Sequence, residues 1–355
     1  MVMLGHGADP KVSATAIAMK ITAQDRATLL SIIERFPRQR IVMLGDLVAD
    51  EYVYGEIARV SREAPVLILK QREKQVTPGG GANAANNLAD LGARVIPVGV
   101  VGDDETGEAL LRYFREKSVS TRYVVRLAGH QTPTKSRILG GLSHWQRQQI
   151  VRIDREPAQL LARDVRGRLT RSALSLLRTS SALLVSDYGY GSTDAREVEY
   201  LSRKKGSAPL PVAVDSRYDL LTYRNVTTAT PNEPEVEAAF GETIGHDLGR
   251  LHALGRKLMR RQGFQALLVT RGRDGMVLFE PRREPRYLPI FGSDQAVDVT
   301  GAGDTVIATY TLALGAGASF LHAAMLANCA GGLVVMKRGT ASVTGGEIME
   351  AIRNA

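Results

Sequence analysis

Short apolar runs, each closed by a small or acidic residue, recur along the chain with longer amphipathic stretches between them. The runs are RIVMLGDLVADEYVYG (40–55), ARVIPVGVVG (93–102), SALLVSDYG (181–189), LPVAVDS (210–216) and FQALLVTRG (264–272). Their β-branched content and near-continuous hydrophobicity predict strands buried on both faces. Helical patterning fills the intervals, as at 104–117, 159–178 and 246–262. Strands alternating with helices predict an α/β fold with a parallel sheet covered on both sides, a three-layer arrangement. Ligands of such sheets bind at the carboxyl ends of the strands. Asp46, Asp187, Asp215 and Thr270 fall at those ends.

Two segments break the rhythm. Residues 52–76 and 134–154 alternate polar and apolar positions, as strands with one wet face do. They predict a small antiparallel sheet standing off the main body as a lid. Residues 1–40 read as an N-terminal extension to a domain spanning 41–355. Within it, 22–36 has the pattern of a short amphipathic helix with Thr22 as N-cap, apolar residues at 29, 30, 32, 33 and 36, and Pro37 as its stop. No internal repeat or low-complexity tract divides the chain.

Composition narrows the class. Of 355 residues, 44% are hydrophobic and 5% aromatic, a profile typical of aliphatic-rich α/β proteins. Cys329 is the sole cysteine, which excludes an intrachain disulfide and a Cys-built zinc site and suits a reducing, cytoplasmic setting. No run reaches the roughly 20 apolar residues that span a bilayer, and the N-terminus lacks the pattern of a secretory signal. No membrane partner is expected. The net charge of +9 suits anionic ligands. Its basic residues are scattered, with the longest cluster RKK at 203–205, so no nucleic-acid surface is expected.

Three stretches carry candidate chemistry. DVTGAGDT (298–305) runs into an apolar helix, and a Gly-rich turn at a helix N-terminus gathers backbone amides able to hold an anion. Asp304 beside it reads either as a helix cap or as a base aimed at whatever the amides hold. TPGGGANAANNLADLGA (77–93) offers three glycines that allow close approach and Asn83, which both donates and accepts. Alone, such a stretch is more often a tight turn than a site. TPNEPEVEAAFG (230–241) places Asn232 three residues before Glu235, with Pro234 in the first turn, and alone it reads as a helix start. Neither a dinucleotide-binding G-x-G-x-x-G nor a P-loop is present.

The order PGGGANAANNLADLG, SDYGYG, TPNEPE, LLVTRGRDG, DVTGAGDT, ANCAGG resembles the ribokinase-like (PfkB) carbohydrate kinases from about 41 to 353. GDLVADEYVYG, RVSREAPVLIL, RQQIVRID and GTASVT (339–344) resemble its heptose-7-phosphate kinase branch. The resemblance implies a ribokinase-like α/β domain with a β lid and an ATP- and Mg²⁺-dependent sugar kinase; apolar lid residues such as Val66, Ile68 and Trp145 need cover and predict a homodimer paired through the lid. It implies Asp304 as the base, and the Gly301, Ala302 and Gly303 amides as the hole for the transferring phosphoryl group. By the same resemblance Asp50, Gly79, Gly80 and Asn83, joined by Asp46, hold the sugar. Asn232 and Glu235 position Mg²⁺ and the ATP phosphates, partly through water. Thr270, Arg271 and Gly272 contact the phosphates, and Asn328 flanks the adenine. Asp298 and Thr300 resemble the start of a loop for a monovalent cation such as K⁺.

The branch commonly has DYAKG where DYGYG (187–191) stands, and DPKG where DSRY (215–218) stands. Tyr190 thus replaces one lysine and Arg217 stands for another. Lys135, Arg137, Arg147 and Arg152 on the lid segments are the remaining candidate ligands for a substrate phosphate. The acceptor expected is a heptose 7-phosphate. A kinase for another sugar or sugar phosphate, such as ribose or fructose 1-phosphate, and a non-catalytic sensor on the same fold are the alternatives. The histidines form no H-x-G-H motif of the nucleotidyltransferase often fused to this kinase, so the kinase part alone is expected.

Overall fold

The computed structural model describes residues 21–141, 148–203, 210–292 and 295–355. The chain begins with helix α1 (Ala23–Ile33), then β1 (Arg40–Gly45), β2 (Leu47–Val60), β3 (Leu67–Gly79) and α2 (Gly80–Asp90). β4 (Arg94–Gly102), α3 (Glu105–Glu116), β5 (Val124–Leu127), β6 (Thr134–Gly141) and β7 (Gln148–Arg155) follow. The middle holds α4 (Arg163–Leu177), β8 (Ala182–Asp187), α5 (Ala195–Arg203), β9 (Val212–Ser216), β10 (Thr228–Ala229), α6 (Glu233–Phe240) and α7 (Leu248–Gln262). The remainder is β11 (Ala266–Thr270), β12 (Met276–Phe279), β13 (Arg286–Leu288), α8 (Ala302–Gly315), α9 (Phe320–Val334) and α10 (Gly345–Asn354).

Nine strands form one sheet in the order β13-β12-β11-β10-β9-β8-β1-β4-β5. It is parallel from β5 to β11, and the last two pairings are antiparallel. Successive residues such as Ile41, Val42 and Met43 are all fully buried, because helices cover both faces. One face packs Leu88 of α2, Phe114 of α3, Tyr310 of α8 and Leu326 of α9 into a common core. The other packs Leu169 of α4, Leu201 of α5 and Leu254 of α7. The three-layer α/β expectation therefore holds. Thr22 caps α1 as read from the sequence, its side chain accepting from the Asp25 amide at 3.1 Å. Leu29, Ile32 and Phe36 are buried in the core of the body.

The small second sheet is present as expected, and two details of the strands differ. The run 40–55 is not one strand: it breaks at Asp46, where β1 stays in the large sheet and β2 leaves it. The crossing is tight, since a Cβ on Gly45 would lie 2.2 Å from the Ser186 carbonyl. The second sheet, β3-β2-β6-β7, is antiparallel in its outer pairings, but its central pair β2/β6 is parallel. The cause is topological. β1 and β5 run the same way in the body, so the chains leaving their carboxyl ends enter the lid in the same direction.

Candidate active site

Asp304 lies in the first turn of α8, behind Gly301 at φ +78°. A Cβ on Gly301 would approach the Asn83 amide nitrogen to 2.6 Å, so both conformation and space select glycine. The Asp304 carboxylate is 5% exposed and held at both ends. Asn83 Nδ2 donates to Oδ2 at 2.8 Å, and the Tyr188 hydroxyl donates to Oδ1 at 3.0 Å. Asn87 fixes Asn83 in turn, donating to its carbonyl at 2.9 Å and to its Oδ1 at 3.1 Å. Thr305 Oγ1 donates to Asn87 Oδ1 at 2.8 Å and so closes a ring between α2 and α8. Burial pushes the Asp304 pKa up to about 6, against the pull of the Asn83 and Tyr188 bonds. A carboxylate poised there is suited to take a proton near neutral pH. The Ala302 amide turns back to the Val299 carbonyl at 3.2 Å. Among the described residues, the amides of Gly301, Gly303 and Asp304 have no backbone acceptor, as the first turn of a helix leaves them.

One wall of the site comes from the base of the lid. Arg137 of β6 pairs with Asp50 of β2 at 2.6 Å, both largely buried. Thr340 Oγ1 reaches Asp50 Oδ2 at 3.4 Å and the Tyr52 hydroxyl at 2.8 Å, tying the GTASVT segment to the lid. Gly79 lets the backbone close on Asp50, whose carboxyl carbon would be 2.9 Å from any Cβ there. Gly80 adopts φ +51° as α2 begins. Asp46 is placed otherwise than expected of a sugar ligand. It is 1% exposed, and its oxygens accept from the amides of Tyr188, Tyr190 and Ser192 at 2.9, 3.0 and 2.9 Å. It holds loop 188–192 in place, and through it Tyr188. Arg152 is paired with Asp154 at 2.5 Å, whereas Arg147 lies outside the described residues. Lys135 projects its ammonium over the Tyr188 ring, 4.8 Å from the centroid.

The opposite side holds the remaining candidates. Asn232 and Glu235 form a capping box on α6, with Glu235 N donating to Asn232 Oδ1 at 2.8 Å and Asn232 N to Glu235 Oε2 at 2.9 Å. Glu235 also faces Asp215 at the end of β9. Burial raises both carboxyl pKa values, Asp215 is raised further by the Glu235 charge, and Arg217 opposes both shifts. Among the described residues no set of three or more His, Cys, Asp or Glu side chains is disposed to hold a metal. A carboxylate pair of this kind fits Mg²⁺, which keeps most of its waters and needs few protein oxygens. Thr270 bridges to Asn232, Arg271 pairs with Glu233 at 2.6 Å, and Gly272 takes φ +54°. A cleft of about 240 Å³ runs from Thr270 and Gly272 past Ile290, Val299 and Gly303 to Asn328. Asn328 Nδ2 donates to the Pro289 carbonyl at 2.7 Å. Asp298 accepts from the Thr300 and Gly339 amides at 2.9 and 3.0 Å, which shapes the turn before α8.

Sequence reading overlooked Tyr188 and Asn87 as holders of the base, Thr340 as a partner of Asp50, and Asp215 as a partner of Glu235. Asp215 had been noted as a strand end, and Tyr188 lay inside a motif read for its missing lysine.

A buried carboxylate beside helix-terminal amides without backbone acceptors, under a lid and next to an apolar cleft, is an arrangement suited to phosphoryl transfer to a hydroxyl. The chain belongs to the pfkB family of carbohydrate kinases, whose pattern it matches over residues 38–344. It is an ATP-dependent carbohydrate kinase of that family. Bifunctional protein HldE of Pelobacter propionicus is 36% identical over 329 residues, which is 92% of this chain and 66% of the relative. HldE of Coxiella burnetii strain RSA 493 is 39% identical over 322 residues, 90% of this chain and 65% of the relative. The chain thus spans just under two thirds of the length of these curated relatives. In fold it resembles Arabidopsis thaliana ribokinase complexed with ribose and ATP, with TM-score 0.69, 21% identity and coverage of 89% of this chain and 99% of the other. Phosphofructokinase-2 from Escherichia coli in complex with potassium gives TM-score 0.71 and 17% identity, covering 89% and 98%. Among the described residues no helix is long and apolar enough to cross a membrane.

Proposed function

We propose that the chain phosphorylates the anomeric hydroxyl of D-glycero-D-manno-heptose 7-phosphate, a step toward ADP-heptose and lipopolysaccharide precursors. The observation that carries this reading is Lys135. It makes no ion pair with a described residue, although Asp50 and Asp304 are near enough to act on it. Burial and the Arg217 charge hold its pKa below the usual lysine range. A cation left unpaired and pressed by another cation, beside a base, suits an acceptor that already carries an anion. The motifs of the heptose branch and the similarity to HldE support the same acceptor.

Each residue then has a task. Asp304 takes the proton of the attacking hydroxyl while Asn83 and Tyr188 fix its orientation. The amides of Gly301, Gly303 and Asp304 receive the charge that develops on the transferring group. Asp50, held by Arg137 and Thr340, orients the sugar hydroxyls. Lys135 and Arg217 meet the remote phosphate. Asp215 and Glu235 hold Mg²⁺, which neutralises the nucleotide phosphates when bound. Asp298 and Thr300 begin the loop for a monovalent cation.

An ATP-consumption screen over phosphorylated and free sugars tests the acceptor. Heptose 7-phosphate is expected to exceed free heptose by roughly tenfold to a hundredfold in kcat/KM, with the gap narrowing in salt. Equal turnover would move the chain to a kinase for another sugar. One observation favours that second reading: Tyr190, where the branch carries lysine, bonds Glu156 at 3.0 Å and places an acid nearby.

A homodimer through the lid belongs to the same proposal. Val151 and Ile153 of β7 and Val66 just before β3 are 46, 52 and 56% exposed, and exposed apolar residues on the lid fit a second copy. Ile68 is half-buried, and Trp145 lies outside the described residues. Sedimentation as a monomer at micromolar concentration would overturn the dimer.

A further inference from the structure

Tyr188 joins two parts of the molecule that the reaction must bring together. Its amide is fixed from inside the body by Asp46 Oδ2 at 2.9 Å. Its hydroxyl donates to Asp304 Oδ1 at 3.0 Å. Its ring face carries the Lys135 ammonium, 4.8 Å from the centroid. Asp304 belongs to α8 in the body, and Lys135 belongs to β6 in the lid.

We propose that Tyr188 is a positioning residue for the base, and that Lys135 of the lid tunes it through the Tyr188 ring. Asp304 is held ionised and oriented while β6 lies over Tyr188, and is more readily protonated when β6 moves away.

A cation over an aromatic face is attracted to the ring electrons and draws on them. The phenol hydroxyl beneath it becomes a stronger donor, and a stronger bond to the charged form of a carboxylate favours that form. Each carboxylate oxygen accepts more than one bond, so the acceptor hydroxyl can use a remaining lone pair on Asp304 while Tyr188 keeps its own. Without the phenol, Oδ1 loses its anchor and the carboxylate is held by Asn83 alone. The charged groups facing Asp304 from the packed elements are Asp50 of β2, Asp215 of β9 and Lys135 of β6. Asp50 disfavours its charge, whereas the Asp304 charge acts on Asp215 and raises that group's pKa. Lys135 favours the Asp304 charge, as do the bonds from Asn83 and Tyr188. Tyr188 itself stays protonated, since burial and then the Asp304 charge drive its pKa well above the usual phenol range. It is therefore a donor throughout the working pH range.

The inference takes Asp304 as the base but can be tested without turnover. The full chain, labelled with ¹³C at aspartate carboxyls, is titrated free of nucleotide and sugar, and the Asp304 signal is assigned by its loss in Asp304→Asn. Tyr188→Phe is expected to raise the Asp304 midpoint by about one pH unit, roughly a tenfold change in the ionised-to-protonated ratio. The acidic limb of kcat/KM is expected to move with it. Lys135→Met is expected to raise the midpoint by less, and by less again in the Tyr188→Phe background, as coupled groups behave. A Tyr188→Phe midpoint that overlays the parent overturns the positioning role. Equal Lys135→Met shifts in both backgrounds overturn the coupling. Should Tyr188→Phe fail to fold, Lys135→Met in the parent chain decides, and an unmoved midpoint overturns the proposal. A failure of Asp304 as base would appear separately, as undiminished kcat in Asp304→Asn.

Discussion

The two sides of the cleft are built from different materials. On the acceptor side, side chains hold side chains: Asp50 with Arg137, and Asp304 with Asn83 and Tyr188. On the nucleotide side, the wall is mostly backbone and aliphatic, with Gly272, Gly275, Gly303, Gly331 and Gly332 set among Ile290, Val299, Val306 and Val335. Some of these glycines are fixed by contact. A Cβ on Gly332 would lie 2.1 Å from the Phe291 carbonyl, and one on Gly275 would lie 2.1 Å from that of Leu288. A polar cluster can be rewritten one residue at a time, as Tyr190 and Arg217 illustrate. A glycine wall has no side chain to rewrite. On the proposed assignment, acceptor choice would rest on a few named residues and nucleotide binding on the course of the chain.

The sharpest way to break this division is Asp304→Asn. It removes the proposed base and keeps the amides, so kcat is expected to fall roughly 10²–10⁴-fold with ATP binding nearly unchanged. Retention of more than about a tenth of kcat would take Asp304 out of the role. The same carboxylate sets a pH dependence. Its pKa is raised to about 6, so it is protonated and idle below that value and ionised above it. Parent activity should rise with pH through about 6, and a flat profile from pH 5 to 7 would contradict the assignment.

Arg137→Ala is next in size. It leaves Asp50, whose side chain is 6% exposed, without its cation. Breaking a largely buried pair from one side costs about 3 kcal/mol or more. Acceptor kcat/KM is expected to fall about a hundredfold, with KM for ATP unmoved. A matching loss in ATP affinity would show that the two sides are not separable. Gly303→Val tests the other side. A Cβ at Gly303 meets nothing within 4 Å and Gly303 lines the cleft, so the fold should tolerate the change while the larger residue narrows the cleft. KM for ATP is expected to rise about tenfold with acceptor KM unchanged. Equal ATP affinity in the variant would place the phosphates elsewhere.

The fold was largely legible because buried parallel strands announce themselves as apolar runs, and β1, β4, β8, β9 and β11 all fall in such runs. The break at Asp46 was not legible, since Leu47, Val48 and Ala49 continue the apolar pattern into the lid. The parallel β2/β6 pair was not legible either, because pairing depends on where distant strands leave the body. In the site, the Asn232–Glu235 capping box is local and could be read from its spacing. The ring around Asp304 is not local: Asn83 is 221 residues from Asp304, and Asn87 is 218 residues from Thr305. Asp46 and Asp304 were both read as acids facing the reaction, one among the sugar ligands and one as the base. What separates them is the donors they meet, three backbone amides in one case and two side chains in the other.

The smallest expected effect, and the most specific test of the metal corner, is Glu235→Gln. The amide side chain keeps an oxygen for the Asn232 N–H that Glu235 Oε2 now accepts at 2.9 Å, so the start of α6 should survive. What changes is charge. Glu235 raises the pKa of Asp215, so its loss lets Asp215 ionise more readily and become a better oxygen ligand. One carboxylate is lost and the other improves, which limits the penalty. The Mg²⁺ concentration for half-maximal rate is expected to rise roughly threefold to tenfold, with kcat at saturating Mg²⁺ close to the parent. In the parent, both carboxyls have raised pKa values and must lose protons to bind the ion, so apparent Mg²⁺ affinity should strengthen as pH rises. That pH dependence should be weaker in Glu235→Gln, because one of the two protons is gone. A Mg²⁺ titration that overlays the parent at both ends of the pH range would remove Glu235 from the metal's corner and leave it as a helix cap alone.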